Sequence, residues 1–359
     1  MTSQGTQPAL DETKLNDFMN KAVGDMGAAM SASLIAIGDR LGLYKAMGVG
    51  DWMTSAELAQ KTGTTERYVR EWLNAQAAGG YANYDAASGK YSLSPEQAFA
   101  LANEDSPVYL PGFFLAAVSV SHDIDKLLNA FRTGEGVGWH EHHDWLFEGT
   151  EKFFRPGYNA NLVTSWIPAL TGVEEKLQNG AKVADVGCGH GASTIIMAKA
   201  YPNSTFIGYD YHSGSIERAR AQAAKAGVGE RIIFEVASAK AYPGSNFDLV
   251  TFFDCLHDMG DPVGAAKHVF RSLVPGGTWM IVEPRAEDSV EGNLHPIGRI
   301  FYGASTMICT PASMSQEVGM ALGAQAGQKR IREVVMAGGF PKFRRASETP
   351  FNLVFEATR

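Results

Sequence analysis

One stretch of this chain is built to hold a ligand. Val183-Ala184-Asp185-Val186-Gly187-Cys188-Gly189-His190-Gly191 reads as a buried strand that breaks into a glycine loop, with a helix following from about Ala192. Glycine has no side chain to block the approach, so backbone N–H groups can come close to a bound molecule. The spacing is Gly-x-Gly-x-Gly, not the Gly-x-Gly-x-x-Gly of the pyrophosphate fingerprint. The absence of a Gly-Lys-Ser/Thr ending excludes a P-loop. Asp185, just ahead of the first glycine, would repel a phosphate. An acid there suits a ligand with a cationic group.

Other residues fall where a ligand would extend. Asp210 lies 25 residues beyond Asp185 at the end of the next strand, where a carboxylate accepts hydrogen bonds from the hydroxyls of a ribose. Tyr211 follows it. Ser238 and Ala239 come after a third strand, where an adenine edge could lie, and Asp254 after a fourth. Trp139-His140-Glu141-His142-His143-Asp144-Trp145 gathers three histidines and two acids. Its spacing matches no common metal-ligand motif, so no metal is expected. His140, His142 and His143 read as a substrate-facing loop for an anionic or hydroxylated group, with a solvated loop as the plainer alternative. Tyr158 could close over the ligand. Further on, Arg285, Arg299 and Tyr302 lie in a long insertion. The arginine fork matches a carboxylate bidentately, which points to an acceptor carrying that group.

These residues need a scaffold, and the pattern supplies one. Apolar runs at Lys182–Val186, Thr205–Tyr209, Ile232–Val236, Phe247–Phe253 and Thr278–Val282 alternate with helical stretches at 193–200, 213–226 and 262–273. Such alternation predicts a mostly parallel sheet wrapped by helices, with ligands at the carboxyl ends of the strands. Before it, Thr54 to Leu93 has the order of a winged helix. Thr54 caps one helix, Thr64 or Thr65 caps a second, and two short strands flank Asp85–Gly89. Residues 18–47 read as a helix faced with small and apolar side chains (Ala22, Met26, Ala29, Met30, Ser33, Ile37), a core helix or a dimer helix. A stretch from Pro107 to Phe131 is also helical.

The boundaries follow: residues 1–14 a disordered tail, 15–105 a helical and winged-helix domain, 106–178 a helical linker and substrate cap, and 179–359 the α/β domain with an insertion at 284–336. A net charge of −8 disfavours a phosphate-backbone binder. On the would-be recognition helix, Glu66, Arg67, Arg70 and Glu71 cancel, so no nucleic acid is expected. Three scattered cysteines give neither a zinc ribbon nor a disulfide framework. No signal peptide or membrane span is read, and the expectation is a cytoplasmic protein.

Val183–Gly191, Asp210, Phe247–Asp261 and Leu273-Val274-Pro275-Gly276-Gly277 together resemble the motif series of class I S-adenosylmethionine-dependent methyltransferases. Gly339-Phe340 and Phe351–Glu356 are similar to that family's closing antiparallel hairpin. With the small-residue helix and winged helix, nearly everything after residue 15 looks like a bacterial small-molecule subgroup. The resemblance implies a Rossmann-like, seven-stranded methyltransferase domain behind a helical, winged-helix one. It implies that Asp185, Gly187 and Gly189 bound the methionine part of S-adenosylmethionine, that Asp210 takes the ribose and that Ser238-Ala239 flanks adenine, with Gly191, Tyr211 and Asp254 as further cofactor-binding residues. Many relatives carry an acid where Ser238 stands.

Cys255–Asp261 is similar to the Leu-His-Asp-Trp segment of small-molecule O-methyltransferases, which implies His257 as general base and Glu283 as the acid that orients it. A histidine suits that role because its pKa lies near working pH. The expected reaction is methyl transfer to a small-molecule oxygen by a homodimer. Two alternatives stand beside it. One is S-methylation of a thioether or thiol acid, such as 4-methylthio-2-hydroxybutyrate in dimethylsulfoniopropionate synthesis, a general resemblance only. The other is a winged-helix transcription regulator.

Overall fold

The computed structural model describes residues 10–359. Of the expected tail, residues 1–9 lie outside them, and a helix already begins at Glu12. The chain forms two compact units that part between Val118 and Ser119, thirteen residues beyond the boundary read from the sequence.

In the first unit, the Asp11 carboxylate accepts from the backbone N–H groups of Thr13 and Lys14 and starts a helix, Glu12–Arg40. The single helix expected at 18–47 is two, because Gly42 takes a left-handed conformation and the chain restarts at Leu43–Met47. Thr54 and Glu57 close a capping box on the helix Ser55–Thr62. Helix Glu66–Ala78 follows, then strands β1 (Asn83–Asp85) and β2 (Lys90–Ser92), paired antiparallel around an Asp85 turn. Ile35, Leu43, Tyr44, Leu58, Trp72 and Leu73 form the core between them. On helix Glu66–Ala78, Arg67 pairs with Glu71 and Arg70 with Glu66, each at 2.6 Å. The balanced charge seen in the sequence is thus spent within the helix.

The second unit contains a seven-stranded sheet of β3 (Lys182–Val186), β4 (Thr205–Asp210), β5 (Ile232–Val236), β6 (Phe247–Phe253), β7 (Leu273–Pro284), β8 (Lys342–Glu348) and β9 (Asn352–Thr358). The spatial order is β5-β4-β3-β6-β7-β9-β8. The first five strands run parallel, and β9 is antiparallel to both β7 and β8. Helices lie on both faces, so the inner strands are nearly continuous apolar runs instead of alternating ones. Strand β7 is longer than expected. Its pairing with β6 skips from Leu273 to Thr278, and Val274 to Gly277 bulge out as a tight turn. Trp279, fully buried, packs against Phe252 and Phe340 at 5.1 and 5.3 Å and ties the parallel part to the closing hairpin. Chain order reverses at β3, between β4 and β6. Such switch points open a crevice at the carboxyl ends of the strands.

The region from Pro107 to Phe131 is helical as expected but segmented: Pro111–Ser119, a 3₁₀ turn at Val120–Asp123, and Ile124–Thr133. Helix Asp144–Asn161 then runs into a π turn, Leu162–Trp166.

Candidate active site

At the carboxyl ends of β3, β4, β5 and β6 lies a cavity of about 450 Å³. The glycine loop forms one wall. Gly187 has φ +73°, and a Cβ there would stand 2.7 Å from the Cys255 sulfur, so only glycine fits. Gly189 also faces the cavity. Gly191 does not, because it lies against Phe234, 2.8 Å from where a Cβ would be, and lets the following helix pack on the sheet.

Asp185 is placed differently from the expectation. It is 1% exposed and absent from the cavity wall. One carboxylate oxygen accepts from the hydroxyls of Ser193 and Thr194 at 2.7 and 2.5 Å, the other from Thr251 at 2.9 Å. Burial pushes its pKa up, and the three hydroxyls partly offset that. Asp185 therefore ties β3, the next helix and β6 together behind the cavity wall. Nothing in the spacing revealed three hydroxyls converging on it.

Asp210 does reach the wall. Its two oxygens accept from the backbone N–H groups of Gly189 and His212, both at 2.9 Å. Burial raises its pKa, and those two N–H groups oppose the rise. Tyr211, Ser238 and Ala239 line the same end of the cavity. At the end of β6, Asp254 has φ +50°, an uncommon conformation for a residue with a Cβ. There it accepts from the Tyr158 hydroxyl at 2.8 Å and the Asn352 amide at 2.9 Å. Burial and the nearby Glu283 push its carboxyl up to about 8. Tyr158 and Asp254 both line the cavity.

The three histidines of the 139–145 segment part ways. His140 faces the cavity, edge-on to Tyr211. His142 is buried with Nδ1 2.8 Å from Asp123. His143 caps the helix that begins at Asp144 and stacks on His122. Of the three histidines, one is thus a wall residue and two are structural. Trp139, the segment's first residue, lines the cavity and donates Nε1–H to Asp258 at 3.0 Å.

His257 lies behind the wall, 4% exposed. Its Nδ1 is 2.5 Å from Glu283 Oε2, as an orienting acid requires. Its Nε2 is 3.2 Å from Asp258 Oδ1. Burial works against a charged ring, but Asp258 and Glu283 outweigh it and hold the His257 pKa well above its ordinary value. A free imidazole facing the substrate is therefore not what this geometry presents: both nitrogens are engaged, and Asp258, not His257, is on the wall. Cys309 completes the cluster, its thiol pushed up to about 12 by burial and Asp258.

None of the three insertion residues reaches the cavity. Arg285 pairs with Glu348 at 3.4 Å and Glu287 at 3.9 Å. Arg299 and Tyr302 lie on helix Pro296–Ala304, away from the wall. Among the described residues no arginine or lysine lines the cavity, while Glu151, Asp210, Asp254 and Asp258 do. The anchor expected for a substrate carboxylate is missing from the wall.

Of one wall, sequence reading named only Tyr158. Phe147, Thr150, Glu151, Phe154 and Tyr158 project from one face of helix Asp144–Asn161 into the cavity. Glu151 meets His190 of the glycine loop at 2.9 Å. Burial raises the Glu151 pKa, but His190 and Arg155 pull it below the ordinary value. The i, i+3, i+4, i+7, i+11 spacing of this face was the available signal. Ser315 and Gln316, after the insertion's short helix Thr310–Met314, complete the rim and carried no such signal.

Comparison with known proteins agrees with this layout. Residues 177–335 match the model of a methyltransferase domain family, and residues 29–103 match that of the Rv2258c-like winged HTH domain. The chain is 38% identical over 104 residues to the 27-O-demethylrifamycin SV methyltransferase of Amycolatopsis mediterranei, covering 28% of this chain and 38% of that protein. It is 34% identical over 139 residues to a ubiquinone biosynthesis O-methyltransferase of Paracidovorax citrulli, covering 38% and 54%. The chain thus spans between about a third and about half of these curated relatives.

Among solved structures, an O-methyltransferase-like protein from Nostoc punctiforme superposes with a TM-score of 0.69 at 18% identity over 98% of this chain and 100% of that one. Human N-acetylserotonin methyltransferase, solved with S-adenosylmethionine, gives 0.71 at 16% identity over 99% of each. These likenesses are in fold. The chain carries a methyltransferase domain with a winged-helix domain N-terminal to it.

Proposed function

We propose that this chain, with its methyltransferase domain, binds S-adenosylmethionine in the cavity at the strand ends. It then passes the methyl group to a hydroxyl oxygen of a small organic acceptor. The observation that carries the reading is one cavity whose wall brings together the open backbone of Gly187 and Gly189, the backbone-held Asp210 carboxylate and the Ser238-Ala239 rim.

The residues fit the cofactor. Gly187 and Gly189 leave room for its methionine part, Asp210 for the ribose hydroxyls, and Ser238 and Ala239 for the adenine edge. A wall with acidic side chains and no lysine or arginine suits a ligand that carries an ammonium and a sulfonium. When bound, the cofactor supplies a methyl group activated by the positive sulfur. Similarity to a ubiquinone biosynthesis O-methyltransferase supports oxygen as the acceptor atom.

We place the acceptor by Trp139, Asp258, Met259, Ser315 and Gln316, the wall residues beside the turn Leu256–Asp258. This choice replaces two expectations. With no arginine on the wall, the acceptor is uncharged where it enters and is not anchored by a carboxylate. The proton acceptor is Asp258, the cluster member on the wall, with His257 fixed behind it by Glu283. As the oxygen gains the methyl group, its proton passes to the Asp258 carboxylate. Most of the acceleration comes from holding the two reactants in line in a cavity that sheds water.

We also read the chain as a homodimer. Helix Glu12–Arg40 is about 43 Å long at 1.5 Å per residue. It leaves Leu15, Phe18, Met19, Val23, Met26 and Met30 exposed. An apolar stripe running from Leu15 to Met30 favours a partner surface. Among the described residues no helix is long and apolar enough to cross a membrane.

The test is transfer of a labelled methyl group to a panel of phenols, hydroxy acids, thiols and thioether acids, read by mass spectrometry. Label on an uncharged hydroxyl compound supports the reading. Label confined to sulfur compounds or to carboxylates overturns the acceptor assignment.

A further inference from the structure

Behind the acceptor wall, three donor atoms of different chemistry converge. A ring nitrogen of His257, an Asp258 carboxylate oxygen and Cys309 Sγ all lie within 4.8 Å of one another, and all three residues are buried. Two come from the 3₁₀ turn Leu256–Asp258 after β6. The third closes the π turn Ser305–Cys309 in the insertion. Imidazole, carboxylate and thiolate are the ligand types that zinc takes.

The separations are close to those an ion would impose. A tetrahedral ion with nitrogen and oxygen at about 2.0–2.2 Å sets those two donors about 3.4 Å apart, and His257 Nε2 stands 3.2 Å from Asp258 Oδ1. With sulfur at about 2.3 Å, the nitrogen–sulfur edge would be about 3.6 Å, and Cys309 Sγ already lies within 4.8 Å of the other two donors.

The surroundings are also those of a metal centre. A ligating histidine commonly engages a carboxylate through its other ring nitrogen, and ligating carboxylates are themselves hydrogen-bonded. Here Glu283 takes His257 Nδ1 at 2.5 Å. Trp139 donates to Asp258 Oδ2 and leaves Oδ1, which is buried and makes no hydrogen bond among the described residues, turned to His257. Both outer contacts hold a ligand by the atom that the ion would not use.

We infer that His257, Asp258 and Cys309 form a binding site for one zinc-class divalent ion, immediately behind the part of the cavity where the acceptor lies. Binding exchanges protons for the ion: the imidazole gives up its Nε2 proton, the thiol gives up its own, and no electron moves. Three protein ligands leave a fourth position, as in zinc sites that act on a bound molecule. Asp258, the ligand on the cavity wall, is the side from which an acceptor hydroxyl or thiol would meet the ion's charge. The inference rests on the proposed reading only for the nature of that neighbouring molecule.

The test uses the full chain, stripped with a chelator and titrated with cobalt(II), without methyl donor or acceptor. The expected result is a saturating visible spectrum of four-coordinate cobalt with a thiolate charge-transfer band, one ion per chain, displaced by zinc. Cys309→Ser should lose the charge-transfer band, and Asp258→Asn should weaken binding at least tenfold, with both variants keeping the wild-type far-UV circular dichroism. No saturable band in the wild type, or a band unchanged in Cys309→Ser, would overturn the site. Binding is read without turnover, so a negative result leaves the methyl-transfer reading as it stands. An inactive protein that still shows the band would count against the activity alone.

Discussion

Replacing Asp254 by asparagine should change how stability depends on pH. In the folded protein burial and Glu283 raise the Asp254 carboxyl from 3.8 to about 8. At about 1.36 kcal/mol per pH unit, that corresponds to roughly 5–6 kcal/mol against the ionised form. The sign follows from proton uptake. Between the unfolded and folded values the native state binds the extra proton, so this group's contribution falls as pH rises and is fully lost above about 8. From pH 5 to pH 8.5 the change amounts to roughly 4 kcal/mol.

Asparagine has no charge to bury, and its amide can still meet Asn352 and Tyr158, the two side chains that hold Asp254. The variant should therefore gain on the wild type as pH rises. For a unit of this size, 1 kcal/mol moves Tm by about 2–4 °C, so the Tm difference should widen by about 8–16 °C over that range. Melting curves of both proteins by circular dichroism at pH 5 and 8.5 measure it. Parallel Tm profiles would show that Asp254 is ionised in the fold at ordinary pH, and the account of this corner of the cavity would fail.

Other substitutions probe separate parts of the account. Asp210→Asn keeps one acceptor for the glycine loop but removes the charge facing the ribose, and should weaken S-adenosylhomocysteine binding about 10–100-fold by calorimetry. Gly187→Ala drives a Cβ into the Cys255 sulfur at a positive φ and should lower both Tm and cofactor affinity. Normal values for both would mean that the loop relaxes freely. Thr251→Val removes one of the three hydroxyls on buried Asp185 and should cost about 1–3 kcal/mol in denaturant unfolding. Phe18→Asp with Met26→Glu should turn a dimer into a monomer by light scattering, while an unchanged mass would acquit the helix Glu12–Arg40.

The parallel sheet was legible because buried strands leave unbroken apolar runs between glycine-marked turns. Strands β3, β5 and β6 begin and end at the residues read from the sequence. The glycine loop and Asp210 were legible for the same reason, since their places follow from strand ends. What failed depended on contacts between distant segments. Asp185 looked like a ligand residue until Ser193, Thr194 and Thr251 filled its oxygens. Arg285 looked like an anchor until Glu348 and Glu287 took its charge. Three neighbouring histidines looked like one cluster, but a 3₁₀ turn and a helix start send them in three directions. The pairing of His257 with Glu283 across β6 and β7 was anticipated through the family resemblance. Cys309, brought beside them by a π turn in the insertion, was not visible in any spacing.

The most direct test of the central claim is single-turnover methyl transfer from labelled S-adenosylmethionine to an uncharged phenol panel by the wild type and Asp258→Asn, with cofactor binding measured on the same samples. The account predicts that both proteins bind cofactor alike, that the wild type places label on oxygen and releases S-adenosylhomocysteine, and that the variant is slower by about 10²–10⁴-fold. Equal rates would contradict Asp258 as the proton acceptor. A wild type that fails to bind the cofactor at all would contradict the assignment of the cavity itself.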